Sequence, residues 1–190
     1  GMLSFSYDDK AKDNQTWLYL SALGKVKRIA GGNEETSEPA SLFGSEFTTE
    51  DTDTGKLSEY TFRILSETKI NDRLVWQIES IPNKSRKART RYARTVSYVD
   101  KTRYVILRSE MYDKYDNEIK RMIGSRVERV NDVWLTRSMT MMNLVTNRLS
   151  NMAFLSIDNG IIVSEYFFTK RSLEDAAFRE AHLKDIRDQI

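Results

Sequence analysis

At 190 residues the chain has the length of one domain with one substantial core. Its 30 Lys+Arg against 28 Asp+Glu leave a formal net charge of +2, which excludes a molecule built throughout as a polyanion binder; charged partners are left to local patches. The absence of cysteine excludes disulfides, thiolate metal sites and cysteine nucleophiles together, and no apolar run reaches the roughly 18 residues of a membrane-spanning helix.

Two prolines, nine tyrosines, eight phenylalanines and repeated short turn signals predict a sheet-dominated protein. Gly1 directly before Met2 reads as a scar of tag removal, with the natural N-terminus expected upstream. Met2 to Tyr7 alternates as a first strand, and Trp17-Leu18-Tyr19-Leu20 turns at Leu23-Gly24-Lys25 and returns through Val26 to Ile29 as a hairpin. Phe43 and Phe47 then flank Gly44 and Ser45 outside any strand pattern. Aromatics carried on a loop need an acceptor, and the apolar face of a sheet is the expected one, so this loop reads as a cover.

Tyr60 to Ile70 and Leu74 to Glu79 pair across the Asn71-Asp72 turn, with Phe62, Ile64, Trp76 and Ile78 on apolar faces. Thr95 to Val99, Arg103 to Tyr112, Glu118 to Val130 (with a bulge or bend expected at Gly124), Val133 to Leu144 and Arg148 to Ile157 continue a hairpin-linked meander, and Ile161 to Tyr166 reads as a last short strand. From Ser172 the period changes to that of a helix running to the C-terminus. The fold class that results is mainly β, a curled antiparallel sheet of about nine to eleven strands closed by loops and a C-terminal helix over residues 172–190.

Candidate chemistry is sparse. His182, the one histidine, reads as a solvated surface residue with no nucleophile or orienting carboxylate at fixed spacing, and transition-metal ligands are equally few. Asp51, Asp53, Asp8 and Asp9 lack the oxygen-rich spacing of a calcium loop and read as turn and cap residues. No phosphate-cradling, dinucleotide or nucleophile-elbow motif occurs, so no catalytic residue, metal or cofactor is assigned. Lys84 to Arg94 carries six positive charges and one aromatic; a solvated hairpin loop is the leading reading, and contact with anionic lipid or nucleic acid through residues 84–94 is the alternative. Met139, Met141, Met152 and Phe154 would share a face with Phe62, Ile64, Trp76, Ile78, Leu107 and Met111. Methionine suits surfaces that accept varied apolar ligands, and no long helix before residue 172 is available to bury so wide a face. An apolar concavity is expected, lined by these ten residues and covered by the loop of Phe43 and Phe47. It would take a lipid-like ligand, or dock a partner as a non-catalytic interaction subunit.

The wording of the chain is also similar to a known family. Asn14-Gln15-Thr16-Trp17-Leu18-Tyr19-Leu20 with Ala22-Leu23-Gly24-Lys25-Val26-Lys27-Arg28-Ile29 resembles the "QWLYLPALGKVRRI" phrase of the LolA-like outer-membrane lipoprotein-sorting family, and Phe43 to Asp51 resembles its "GSDFTYED". Tyr98-Val99-Asp100-Lys101, Tyr112-Asp113-Lys114, Val133-Trp134-Leu135 with Met139-Thr140-Met141, and Phe168 to Glu174 match further phrases in order. The resemblance implies one half-closed β-barrel domain over residues 1–190, lacking an N-terminal strand or helix segment, and a periplasmic location in a Gram-negative envelope with the signal peptide absent. It also implies a carrier that holds lipoprotein acyl chains or other lipid without doing chemistry on them, with envelope transport proteins as partners and no nucleic acid.

Overall fold

The computed structural model describes residues 1–5, 7, 12, 15–20, 23–29, 41–52 and 55–190. In chain order the strands are β1 (Met2–Phe5), β2 (Gln15–Leu20), β3 (Lys25–Ile29), β4 (Tyr60–Ile70), β5 (Arg73–Pro82), β6 (Arg94–Asp100), β7 (Ile106–Tyr112), β8 (Glu118–Val130), β9 (Val133–Asn143) and β10 (Arg148–Ala153). The helices are short: α1 (Thr49–Thr52), α2 (Lys84–Lys87), α3 (Arg171–Glu174) and α4 (Ala176–Arg187). Contacts divide the chain into two compact units, Gly1–Glu34 with Asp158–Ile190 and Glu35–Ile157.

The first unit holds an antiparallel sheet in the order β1-β2-β3, with Trp17 opposite Leu3 and Arg28. The Lys170 ammonium lies 3.5 Å from the Trp17 ring centre and the Arg28 guanidinium 5.8 Å from it, so two cations use one indole face system. The helix expected from Ser172 to the end is two pieces. Asp175 breaks it with φ −99° and ψ 103°, and its carboxylate caps the second piece by accepting from the Phe178 amide at 2.9 Å. That backbone hydrogen bond, followed by the Arg171 side chain, holds the Asp175 carboxyl below its usual range. The strand expected at Ile161 to Tyr166 is absent, and a 3₁₀ turn forms at Glu165–Phe167.

The second unit is a strict meander, β10-β9-β8-β7-β6-β5-β4, every pair antiparallel and the two edges unjoined. Tight turns set its register. Asn71 and Asp72 between β4 and β5, and Asn131 between β8 and β9, take positive φ, which short polar side chains tolerate where strands must reverse with the sheet's twist. Gly124 is no bulge, because its pairing with Met139 and that of Ser125 with Ser138 are continuous. A Cβ there would stand 2.7 Å from the Ile106 carbonyl oxygen, so the glycine serves a close backbone approach. Register breaks fall between Ile64 and Ser66, between Tyr98 and Val99 opposite Ile106 to Arg108, and between Met111 and Tyr112.

One face of this sheet is roofed by charge. Val75, Val96, Tyr98, Val105 and Leu107 form its apolar floor. Above them Glu79 pairs with Arg63 at 2.8 Å, Arg94 lies over the Tyr112 ring at 3.6 Å, and the Tyr98 and Tyr112 hydroxyls both donate to Glu110. Burial, then the Glu110 carboxylate, pushes Tyr112 up to about 12. At the β6–β7 turn the buried Asp100 accepts from the Thr102 amide and hydroxyl, the Arg103 amide and the Arg103 guanidinium, all between 2.8 and 3.0 Å. Burial works against its charge, but these donors together outweigh burial and hold the carboxyl well below its usual range.

A carboxyl whose folded pKa is depressed stabilises the protein above its unfolded pKa near 4 and loses that contribution as pH falls through the folded value. Asp100→Asn is therefore expected to cost about 2–3 kcal/mol at pH 7 in urea unfolding. The gap between variant and wild type should narrow as pH drops below about 4.

Candidate functional site

Cross-strand partners lie on one face of a sheet, so register assigns the faces. One row across the second unit runs Phe62, Ser80, Thr95, Met111, Lys120, Asn143 and Arg148; the next runs Ile64, Ile78, Ser97, Ser109, Met122, Met141 and Ser150. A third places Trp76 beside Val99 and Met139 beside Met152. The residues proposed from sequence therefore share this face, and Phe154, just past β10, keeps the same alternation. Leu107 does not join them. It is the extra residue of the β7 bulge and packs with Val75, Val96 and Tyr98 on the opposite face.

The face is two patches with a trough between. On β4 and β5 stand Phe62, Ile64, Trp76 and Ile78; on β7 to β10 stand Met111, Met122, Met139, Met141 and Met152. Between them run the small side chains of Ser80, Thr95, Ser97 and Ser109, with the Ser97 and Ser109 hydroxyls bonded to each other at 3.1 Å. Small residues lower the floor, and hydroxyls that satisfy one another leave it acceptable to an apolar guest.

Among the described residues only one patch is roofed. Phe47, 4% exposed, packs on Met111 and Met141, with Leu42, Tyr92, Met122, Met139 and Met152 around it, and Met141 is fully buried. The other loop aromatic, Phe43, does not cover anything and is 86% exposed. Across the trough Phe62 and Ile64 remain 48% and 61% exposed.

Segment 41–52 is seated by polar contacts. The buried Asp51 carboxylate receives Lys120 Nζ at 2.8 Å, the Tyr92 hydroxyl at 2.6 Å, the Thr48 amide at 2.7 Å and the Thr48 hydroxyl at 2.9 Å. Lys120 also donates to the Glu46 carbonyl at 2.9 Å, while the Glu46 carboxylate takes Asn143 at 2.8 Å and Arg148 at 3.1 Å. Burial raises the Tyr92 phenol far above its usual value, and the Asp51 charge raises it further. Burial also raises Glu50, against the opposing hydrogen bonds of the Thr90 hydroxyl and the Arg91 amide. Sequence reading took Asp51 for a turn residue and passed over Lys120; no local pattern links positions so far apart.

Half of the basic run is spent on ion pairs within the molecule. Arg86 is buried over the Tyr60 ring and 3.7 Å from Glu59, Arg89 reaches Glu59 at 2.6 Å, and Arg94 reaches Asp116 at 2.6 Å. This leaves Lys84 and Lys87 as exposed cations of α2. In the first unit His182 is half-buried rather than solvated, stacked 5.7 Å from Phe167 and tilted against Phe178 at 4.2 Å, with Nδ1 donating to the Phe178 carbonyl at 2.9 Å. It borders a cavity of about 190 Å³ with Ile162, Val163, Ser164, Phe167, Asp185 and Ile186. Among the described residues no three His, Cys, Asp or Glu converge as metal ligands, and no helix is long and apolar enough to cross a membrane.

The sequence model of a family described as an uncharacterized protein matches residues 1–175. Among solved structures, a domain from Vibrio parahaemolyticus described as an outer membrane lipoprotein-sorting protein superposes with a TM-score of 0.80 at 28% identity, covering 91% of this chain and 70% of that one. A DUF1329 family protein from Desulfovibrio piger gives 0.73 at 26% identity, with 90% and 70% covered. A LolA superfamily protein from Nitrosomonas europaea gives 0.50 at 10% identity, with 80% and 67% covered, and shares the fold. No curated protein matches.

Removing the Lys120 ammonium would leave the buried Asp51 carboxylate with hydrogen-bond donors but no counter-charge. Lys120→Met is expected to lower stability by about 3–5 kcal/mol in chemical denaturation, and adding Asp51→Asn to recover most of that loss.

Proposed function

Because the chain belongs to a LolA-like family, we propose that it is a non-enzymatic periplasmic carrier that holds acyl chains of lipids or lipoproteins against the open half of its apolar sheet face. The observation that carries this reading is the patch of Phe62, Ile64, Trp76 and Ile78, which stays accessible beside a serine-floored trough while the neighbouring methionine patch is sealed by Phe47. A bound chain lies first along the trough. It reaches Met111, Met139, Met141 and Met152 when segment 41–52 gives way, and methionine's unbranched, polarizable side chain suits guests of varied length. The Vibrio parahaemolyticus relative, described as a lipoprotein-sorting domain, supports the assignment of cargo class. The consumption of Arg86, Arg89 and Arg94 by internal carboxylates weighs against the basic run as a nucleic-acid site.

Met141 is a poor place to test this, since a charge there disrupts packing. Ile64 is exposed, so Ile64→Glu is expected to keep the wild-type melting temperature while lowering affinity for a fluorescent fatty acid by tenfold or more, because a desolvated charge would face the chain. Undiminished affinity in the folded variant overturns this placement. Lipid extraction of the purified protein, followed by mass spectrometry, identifies the natural guest.

A further inference from the structure

The same unit carries an unusual turn. Ser41 bridges Thr48, Leu42 donates its amide to the Phe47 carbonyl at 2.8 Å, and the Ser45 amide closes on the Leu42 carbonyl at 3.0 Å, which makes residues 41–48 a miniature hairpin. Its two central residues, Phe43 and Gly44, have φ of 54° and 73°, the double left-handed geometry of a type I′ turn. The first of these positions favours Asn, Asp or Gly. Here it holds a phenylalanine, strained in the backbone and bare to solvent, although Phe47 four residues on is buried. A bulky residue in that conformation costs free energy, and the hairpin returns nothing for it within the fold.

Strand direction places other tips at the same end of the sheet. The β7–β8 turn presents Tyr115, 72% exposed, the β9–β10 turn presents Val145, 74% exposed, and α2 presents Lys84 and Lys87. Lys114 stands beside the Tyr115 ring, its Nζ 4.9 Å from the centre. The carboxylates at this end are occupied: Glu46, Glu59, Asp116 and Glu118 in ion pairs, Asp113 by the amides of its own turn. Lys84, Lys87 and Lys114 are exposed cations outside those ion pairs, while Asp113 and Glu50 keep carboxylates held by hydrogen bonds.

We propose that this end of the sheet docks on an anionic lipid bilayer, with Phe43, Tyr115 and Val145 entering the interface and Lys84, Lys87 and Lys114 meeting headgroup phosphates. A protein partner would need one contiguous apolar patch, whereas separate tips can each enter a fluid surface independently, and lysines on flexible stems follow its anionic headgroups. The tips lie apart from the open half of the sheet face at Phe62 and Ile64, although Phe43 is carried by the segment 41–52 that roofs the methionine patch.

Flotation of the purified full chain with vesicles of equal parts phosphatidylglycerol and phosphatidylcholine tests it, with phosphatidylcholine alone as the comparison. Wild type is expected to float with the anionic vesicles and to lose binding as salt rises. Phe43→Asn suits the turn better, so its melting temperature should be at least that of wild type while its partition falls on the order of tenfold. Lys84→Glu with Lys87→Glu should cost roughly fivefold per lysine. Ile64→Glu, expected to weaken fatty-acid binding, should float as wild type does. Wild type that ignores anionic vesicles, Phe43→Asn that floats unchanged, or Ile64→Glu that loses flotation each overturns the proposal.

Discussion

The carboxylate of Asp51 is the point on which the rest of the apolar face depends. An ammonium, a phenol, an amide and a hydroxyl converge on it from Lys120, Tyr92 and Thr48, in a site otherwise surrounded by methionine and phenylalanine. A buried ion pair of this kind adds little net stability against an apolar replacement of the same volume. Its effect lies in position. It fixes which stretch of the N-terminal loop lies on the sheet and in what register, so that Phe47 and not Phe43 descends onto Met141.

That registration divides one continuous sheet face into unequal halves. On the β7 to β10 side the methionines are closed over by the loop; on the β4 and β5 side the aromatic and aliphatic residues meet solvent, and the serine strip of β5 to β7 separates the two. On the opposite face Glu79, Glu110 and their arginines lie beside Val96 and Tyr98 as a salt-bridged layer, while Ile123 and Leu149 toward β10 meet solvent. The charged layer thus covers the β5 to β7 part of one side, and the β4 and β5 half of the other stays open among the described residues.

Much of this was legible in the sequence, for a simple reason. Strands have a side-chain period of two, so Phe62 with Ile64, Trp76 with Ile78 and Met139 with Met141 declare a common face without any knowledge of pairing. Asn71-Asp72 and Asn131 declare the reversals by tolerating left-handed backbone. What stayed hidden depended on single displacements. Leu107 follows the same alternation as Met111, but one inserted residue in β7 turns it to the far side, and no residue in Ile106-Leu107-Arg108 marks the insertion. The basic run read as a solvated loop because its partners Glu59 and Asp116 lie on other elements. His182 read as solvated because its aromatic neighbours Phe167 and Phe178 become neighbours only once α4 forms.

The unbroken meander also bears on how the protein assembles. From β4 onward each strand pairs with the next one in the chain, so the sheet grows by short loop closures, and each new hairpin adds to an edge already in place. Segment 41–52 precedes the whole sheet in sequence, yet besides Thr90 and Tyr92 its anchors lie on β8 to β10, 69 residues away at Lys120 and 104 at Ser150. Its docking must wait until the last strands have formed. The methionine patch is therefore open throughout folding and closes last, and the sheet reaches its final form before the element that decides which part of it stays accessible.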